Sequence, residues 1–550
     1  MERICCQAIT FAEKAAFAAI SLLVTVAAFA MLCFAAGISV GFYTLVLPAV
    51  LLLGISCLRG RGQFYAAVLV LAILALWTIV CGLIFDWSYD GMYYHKQAII
   101  TLKEGWNPLR QSSIEADVFA SYPNMSLWLD NYPKGIWIFS AAIYAITNHL
   151  ETAKAVNILF LLPTFCIAYD VMRGVYGQSR GRSAALALLF VLNPVFICQV
   201  FTSYNDLAVG CCIIMTVLLC MKIYTERANA YTYILLFGIA AFSCTVKFTA
   251  PVFVGIILLV TGICYACKVK MGWIKLKRPV LIVLTGFLTG ILLIGFDPYV
   301  KHLAEGKHIV YPVMGEGAYD IMNTNPPATL EEHGQLGKLF ISLFSQTNND
   351  IAQVPRLKIP FSIHSAELDH LSNADIRIGG FGVLFSGILI LSLLLFLAAV
   401  CSRIKLPAVI GIFLCTFTLL TLFFPESWWA RYTSYTYYIP VFILLYSMNS
   451  SGERLSWLKW FQRLIYALFL VNSAILIWAA LNTGIQTTAE LNQKLAEVKA
   501  TDKKVFVRVN DFPTHVKLFS EYGIDFEVVH HALDHPQIFY RNTKIEYVED

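Results

Sequence analysis

Acidic, basic and aromatic residues gather in a few short polar stretches of an otherwise apolar chain. The first stretch, FDWSYDGMYYHK, places Asp86, Asp90, Tyr94 and His95 directly after a long apolar run. If this stretch is helical, Asp90 and Tyr94 share one face, because residues four apart are neighbours on a helix, and His95 lies close to that face. A carboxylate beside apolar and aromatic neighbours has a raised pKa, which suits a general base. The alternative is that these residues are interfacial anchors at a membrane boundary.

Three further stretches each carry one charged residue with two interpretations. Lys134, in NYPKG, could bind a phosphate or extend its ammonium group to the membrane interface. Asp206, in SYNDL, could be the N-cap of the helix that follows or a second acid facing the first loop. Lys247, in VKFTAP, is a cation in an apolar hairpin. A charge in apolar surroundings is costly, which points to a functional role, although a position at the bilayer edge lowers that cost.

Two later stretches add arginines. Arg377 follows Asp375 and precedes a glycine pair that permits close backbone approach. Arg431 and Tyr432 end the stretch PESWWARY. The planar guanidinium group of Arg431 suits a phosphate or a carboxylate, although Arg431 could also be an interface anchor beside Trp428 and Trp429.

The composition places these residues in a membrane protein. The chain has 550 residues, of which 58% are hydrophobic and 14% are charged, with a mean hydropathy of +0.67. Soluble domains contain about 25% charged residues. The net charge of +5 is too small to indicate a nucleic-acid partner. We expect no metal site from the 15 cysteines, and no disulfides, because none of them falls in a segment expected outside the cytoplasm.

About thirteen apolar runs are expected to cross the bilayer. Their approximate bounds are 11–33, 37–58, 64–85, 152–172, 183–198, 207–224, 231–246, 249–267, 280–296, 379–401, 407–424, 433–448 and 464–482. Lys and Arg fall on alternate connections, which places those connections and the N-terminus in the cytoplasm. The expected fold is therefore an all-α polytopic membrane domain over residues 1–482.

Three segments are then extracytoplasmic: the loops at about 86–151 and 297–378, and the tail 483–550. The apolar segment 135–148 is short for a span and is expected to dip into the outer leaflet. In the tail, the pattern predicts a charged helix over 490–504, strands at 505–509 and 526–529, and a helix over 514–521. The tail is thus a small extracytoplasmic α/β domain with the C-terminus outside.

All of the singled-out acids and bases fall on the same side of the membrane in this topology. A convergent polar face over an apolar bundle is typical of a site that handles a lipid-borne polar head.

The order of these stretches over residues 64–450 resembles the membrane glycosyltransferases of the GT-C class. The resemblance is closest to the bacterial branch related to protein O-mannosyltransferases and lipid A aminoarabinose transferases (glycosyltransferase family 39-like). YDGMYYH resembles its first-loop Asp-x-x-x-Tyr-His element, NYPKGIW its Tyr-Pro-Pro-Gly segment, SYNDLAVG its second acidic turn and VKFTAP its Lys-Tyr/Phe-Thr element. RIGGFGVLF and ARYTSYTYYIP resemble later segments. The chain departs from the pattern at Lys134, where a second Pro is usual, and at Ala208, where a Pro often follows the second acid.

The resemblance implies a multi-pass enzyme of the bacterial inner (plasma) membrane that acts in glycan biosynthesis of the cell envelope. It would transfer a hexosyl or pentosyl group, with inversion, from a polyprenyl-phosphate donor to an extracytoplasmic glycan, lipid or protein. Asp90 would be the base, with Asp86 as the alternative. Asp206 would assist or help to hold a divalent cation, since some members of the class use a metal and others do not.

The resemblance also implies which residues bind the substrate. Lys247, Arg377 and Arg431 would neutralise the leaving phosphate. The other expected substrate-binding residues are Tyr94, His95, Lys134 and Tyr432.

Two other functions remain open from the sequence. A transporter or flippase for a lipid-linked saccharide would show charges at the bilayer midplane and two similar halves, whereas this chain has few midspan charges and no internal repeat. A non-catalytic envelope assembly protein would use the tail as a docking module.

Overall fold

The structure is a computed structural model that describes residues 9–122, 124–270, 272–321, 325–448, 456–509, 512–539 and 545–549. Most of these residues are helical. The α-helices are α1 (Phe11–Ala35), α2 (Tyr43–Leu58), α3 (Arg61–Gly82), α4 (Lys96–Lys103), α5 (Ser113–Ala116), α6 (Met125–Asn131), α7 (Gly135–Thr147), α8 (Ile158–Gly174), α9 (Arg180–Val191), α10 (Pro194–Gln199), α11 (Asp206–Tyr224), α12 (Ala230–Ser243), α13 (Thr249–Lys268), α14 (Trp273–Thr289), α15 (Phe296–Ala304), α16 (Ala328–Glu331), α17 (Gln335–Phe344), α18 (Ser365–Leu368), α19 (Phe385–Cys401), α20 (Ala408–Phe423), α21 (Tyr438–Ser447), α22 (Ser456–Ala500) and α23 (Val516–Glu521).

Shorter 3-10 or π-helical segments extend or join several of these helices. They are Gly91–His95, Val118–Ser121, Leu150–Asn157, Gly290–Ile294, Ala430–Tyr437 and Pro513–His515. Each predicted span coincides with one helix or with consecutive helical segments. Among the described residues, seven helices are long and apolar enough to cross a membrane, and the other apolar helices are shorter.

Polar contacts occur at both ends of the helix bundle. At one end, the Lys222 ammonium of α11 lies 2.5 Å from Glu13 of α1 and 2.6 Å from Asp170 of α8. Glu13 also completes the capping box with Thr10 that starts α1. These three helix ends are the ones that the charge pattern assigns to the cytoplasm. The connections assigned to the other side contact one another at the opposite end, where the candidate site lies.

The predicted span 183–198 is a broken helix. α9 ends at Val191 and α10 begins at Pro194, because Pro194 supplies no amide hydrogen to continue the helical ladder. Asn193 lies at the break in extended backbone, and its side-chain oxygen accepts a hydrogen bond from the Val195 amide. Its side-chain amide donates to the Ser434 carbonyl at 2.8 Å, which ties the break to the segment that carries Arg431.

The boundary predicted at residue 482 falls inside a helix. α22 runs for 45 residues, so the expected span 464–482 and the charged helix 490–504 form one continuous rod that ends at Ala500. Beyond it lies a four-stranded sheet of order β2-β1-β4-β3, with β1 Val505–Val509, β2 Phe526–Val528, β3 Gln537–Ile538 and β4 Ile545–Glu549. β1 pairs in parallel with β2 and antiparallel with β4.

The C-terminal region packs on the loop that follows α3. The Tyr122 hydroxyl donates to the Val509 carbonyl at 2.7 Å, and the Thr514 hydroxyl donates to the Met92 carbonyl at 2.9 Å. Leu491 of α22 and the strands share one apolar cluster with Phe85. The sheet region is thereby fixed against the segment that carries Asp90.

Candidate active site

A polar cavity of about 500 Å³ opens where the connections that the charge pattern assigns to the extracytoplasmic side meet. Two carboxylates and three cations face it together with a wall of aromatic rings. The charged lining residues are Asp90, Asp375, Lys247, Arg377 and Arg431, and the aromatic ones are Tyr89, Tyr93, Tyr94, Trp128, Tyr132, Tyr319 and Tyr432. Four separate regions of the sequence, between about residues 89 and 432, contribute to this lining.

Arg431 is the centre of the charge cluster. One of its terminal nitrogens lies 3.0 Å from Asp90 and 2.9 Å from Asp375, and its Nε lies 3.9 Å from Asp206. The guanidinium carbon is 4.6 Å from the ring centroid of Trp429. A guanidinium group stays protonated in proteins. Arg431 therefore holds two acids in place, and its charge is already balanced before any ligand enters.

Asp90 immediately precedes the π-helical turn Gly91–His95. Its backbone amide donates to the Tyr204 hydroxyl at 3.2 Å, which fixes the start of the turn. Burial raises the pKa of the Asp90 carboxyl, the nearby Arg431 opposes that rise, and Asp375 adds to it. With 22% of its side chain exposed, Asp90 keeps access to the cavity. A raised pKa and an open face are the properties that a carboxylate base needs.

Asp86 lies behind the cavity and does not line it. Its two oxygens accept hydrogen bonds from the backbone amides of Ser88 at 3.0 Å and Ser203 at 2.8 Å. A Cβ on Gly91 would lie 2.6 Å from the Asp86 carboxylate, so this close approach requires a glycine. The expectation that Asp86 could replace Asp90 as the base is therefore wrong in its geometry, because Asp86 joins two loops inside the protein.

Tyr94 and His95 have different positions. Tyr94 lines the cavity, whereas His95 is buried and accepts a 2.7 Å hydrogen bond on Nδ1 from the Trp137 indole. Burial lowers the pKa of His95 to about 3, so the imidazole is neutral. Its ring packs against Tyr94 with centroids 4.2 Å apart. His95 supports Tyr94 and does not meet a ligand in the cavity, which corrects its assignment as a binding residue.

Lys247 and Asp206 form an ion pair at the cavity wall. Their charged atoms are 2.6 Å apart, and the Lys247 ammonium lies 4.7 Å from the Tyr432 ring centroid. Lys247 faces the cavity and Asp206 lies behind it. Burial is the largest effect on Lys247 and opposes its charged form, but the Asp206 carboxylate and Tyr432 together outweigh it, so the Lys247 pKa is raised.

The surroundings of Asp206 do not fit the metal role expected for it. Its carboxylate faces Lys247 and Arg431, and a divalent cation there would be repelled by both. Within the described residues, no group of three or more His, Cys, Asp or Glu side chains could hold a metal ion. Asp206 also does not cap α11 with its side chain, because it is the first residue of the helix and Asn205 occupies the N-cap position.

Arg377 and Asp375 also line the cavity. Arg377 donates through Nε to Asp375 at 2.8 Å, and its guanidinium group stacks on Trp429 at 4.5 Å. Gly379, at φ +60°, allows this segment to pass close to the backbone of Ser345. Asp375 is a site residue that sequence reasoning did not select, although its position two residues before Arg377 was a usable signal.

Lys134 is absent from the cavity lining. Its ammonium is buried 2.6 Å from Asp297 and donates to the carbonyls of Asp130 and Tyr132. The ion pair joins the N-cap of α7 to the first turn of α15. Neither the expected phosphate contact nor an extension to the interface is observed, since all of these partners are inside the protein.

An apolar groove of about 880 Å³ begins next to the cavity. It lies between α13 and α20 and starts at Phe248, the residue after Lys247. On the other side it ends at Pro425, a few residues before Arg431. The polar cavity and the apolar groove thus share the connections that carry Lys247 and Arg431.

No protein-family model and no curated protein matches this chain.

Proposed function

We propose that the chain is an integral membrane glycosyltransferase that moves a sugar from a polyprenyl-phosphate donor to an extracytoplasmic acceptor. The observation that supports this proposal is the polar cavity lined by the Asp90 carboxylate, with an apolar groove that starts one residue after Lys247. A substrate with a charged, hydroxyl-rich head on a long hydrocarbon tail fits that pair of sites. The resemblance to GT-C enzymes points to the same substrate class.

The proposal includes a membrane fold of about thirteen spans. The helices carry many exposed aliphatic side chains, among them Leu51, Leu76, Leu259, Leu293 and Leu397. Contiguous surfaces of this kind are unfavourable in water and favourable in lipid. The basic residues on alternate connections favour a cytoplasmic N-terminus and an extracytoplasmic C-terminus in a bacterial inner membrane.

In this proposal the donor extends from the apolar groove into the polar cavity. The prenyl chain lies between α13 and α20, where Phe253, Ile256 and Leu420 supply an apolar lining. Its phosphate lies at the mouth, within reach of Lys247. The sugar then enters the cavity toward Asp90, among aromatic rings whose hydroxyls offer hydrogen bonds and whose faces pack on apolar surfaces.

In the transfer step, Asp90 accepts the proton of the acceptor hydroxyl as that oxygen attacks the anomeric carbon. The bond from that carbon to the phosphate oxygen breaks, and its electron pair leaves with the phosphate. Attack from the side opposite the leaving group inverts the anomeric centre. Lys247 and Arg377 stabilise the leaving phosphate, and removing one such preorganised group typically costs about 10²–10³-fold in rate.

The role of Arg431 differs from the phosphate contact that the sequence suggests. Its contacts with Asp90 and Asp375 make it a positioning residue that orients the base. Lys247 and Arg377 then neutralise the leaving phosphate.

The experiment is mass analysis of cell-surface glycans from cells with and without the chain. Loss of one sugar modification, restored by the wild-type chain and not by Asp90→Asn, supports the proposal. Asp369→Asn is the matched control, because Asp369 is an exposed acid on the other large loop, 297–378, and does not line the cavity. An unchanged glycan profile together with transport of a lipid-linked saccharide would favour the flippase instead.

A further inference from the structure

A second apolar groove lies on the other side of α13. Phe253, Ile256 and Val260 line the apolar groove between α13 and α20, called the donor groove from here on. Leu258, Leu259 and Gly262 line a separate groove of about 440 Å³ between α13 and α14. Because a helix has 3.6 residues per turn, these sets occupy different faces of the same helix. The second groove has no part in the proposed transfer reaction.

The packing of α14 leaves this groove open. Gly286 and Gly290 form a GxxxG pattern at the end of α14, and added Cβ atoms there would lie 3.0 Å from the Phe237 carbonyl oxygen and 2.6 Å from that of Ala241. Such glycines let two helix backbones approach closely. α14 therefore packs tightly against α12. Toward its other end, Leu276, Pro279 and Val283 face α13 across the groove.

The mouth of the groove is basic. Residues 266–280 contain five cations and no acid: Lys268, Lys270, Lys275, Lys277 and Arg278. Lys275 and Lys277 are exposed and flank the lining residue Leu276. Arg278 lies over the Tyr233 ring at 4.6 Å, and Lys268 lies 3.5 Å from Glu226.

We propose that the groove between α13 and α14 binds an anionic phospholipid, with an acyl chain between the helices and the headgroup phosphate near Lys268, Lys275 and Lys277. The apolar lining excludes a polar ligand, and the cationic mouth favours a phosphate that carries a net negative charge. Anionic lipids are attracted to basic segments beside membrane helices, and basic pockets between helices bind their headgroups. The inference rests on the membrane orientation proposed above but not on glycosyl transfer.

The test is native mass spectrometry of the purified full-length chain in detergent, titrated with phosphatidylglycerol and with phosphatidylcholine of the same acyl chains. We expect the wild-type chain to retain phosphatidylglycerol preferentially, and this preference to fall at high salt. Lys275→Gln/Lys277→Gln should weaken retention about fivefold for each charge removed. The matched control is Lys459→Gln/Arg463→Gln, which removes two exposed cations at the same end of the bundle.

A second variant tests the apolar part of the site. Gly262 lines the groove, and a Cβ at this position would meet no atom within 4 Å, so Gly262→Phe fills the groove without a backbone clash. It should reduce phosphatidylglycerol retention while leaving the basic mouth intact.

Equal retention of the two lipids by the wild-type chain would overturn the proposal, and so would equal losses in the two charge variants. The wild-type comparison decides the question even if a variant does not fold. Lipid selectivity without sugar transfer would instead count against the proposed function alone.

Discussion

Replacing Asp90 with Asn is the most direct test of the proposed chemistry. The substitution keeps the size of the side chain but removes the oxygen anion that would accept the proton of the acceptor. It also removes one of the two carboxylates that contact Arg431. A suitable control must therefore reproduce the second effect without the first.

Asp375→Asn is that control. Asp375 and Asp90 lie 2.9 and 3.0 Å from the same nitrogen of Arg431, so each variant loses a comparable ion pair. The difference in kcat between the two variants then isolates the loss of the base. General-base catalysis contributes about 10²–10⁴-fold in rate, equivalent to about 2.7–5.4 kcal/mol of transition-state stabilisation.

The assay is transfer from a polyprenyl-phosphate-linked sugar by the purified chain in lipid nanodiscs, with kcat and KM measured separately. We expect Asp90→Asn to lose kcat by the full factor and Asp375→Asn to retain most of it. Thermal unfolding should be lowered by a similar amount in the two variants, because each loses one ion pair with Arg431. Equal kcat losses in the two correctly folded variants would refute the assignment of Asp90 as the base and leave both acids as partners of Arg431.

Three further predictions address the surroundings of the site. Asp375→Asn should shift the acid limb of the pH–rate profile to lower pH. Activity is lost as the pH falls through the raised pKa of Asp90, and the Asp375 charge contributes to that rise. An acid limb at the wild-type pH would contradict the effect of Asp375 on the Asp90 pKa. Lys134→Met should destabilise the protein by about 3–5 kcal/mol, because it leaves Asp297 buried without its main partner, and Lys134→Met/Asp297→Leu should recover most of this loss in thermal unfolding. Val252→Trp should fill the donor groove from an exposed position and raise KM for long-chain donors more than for short-chain analogues, and equal effects on both would argue against the groove as the prenyl site.

The sequence alone was sufficient to locate the apolar helices, without all of their ends, and the polar stretches. Each predicted span has a helical counterpart, and the strands at Val505–Val509 and Phe526–Val528 lie where the alternation of apolar residues predicts them. These features depend on local patterns, since the length of an apolar run and the alternation of apolar residues involve only residues close together in the chain. The break at Pro194 also has a local cause, the missing amide hydrogen of proline, but the continuous apolar run around it predicts a single unbroken span.

Only the tertiary structure decided which charges meet. Lys134 and Lys247 look alike in the sequence, yet Lys134 is buried against Asp297 and Lys247 faces the cavity. Asp86 and Asp90 are four residues apart, but one bonds to buried backbone amides and the other lies open beside Arg431. The partners of these side chains are tens to hundreds of residues away, and burial and ion pairing depend on what the fold brings within a few ångströms. The residue types therefore showed that a site was present, and long-range packing determined which of them form it.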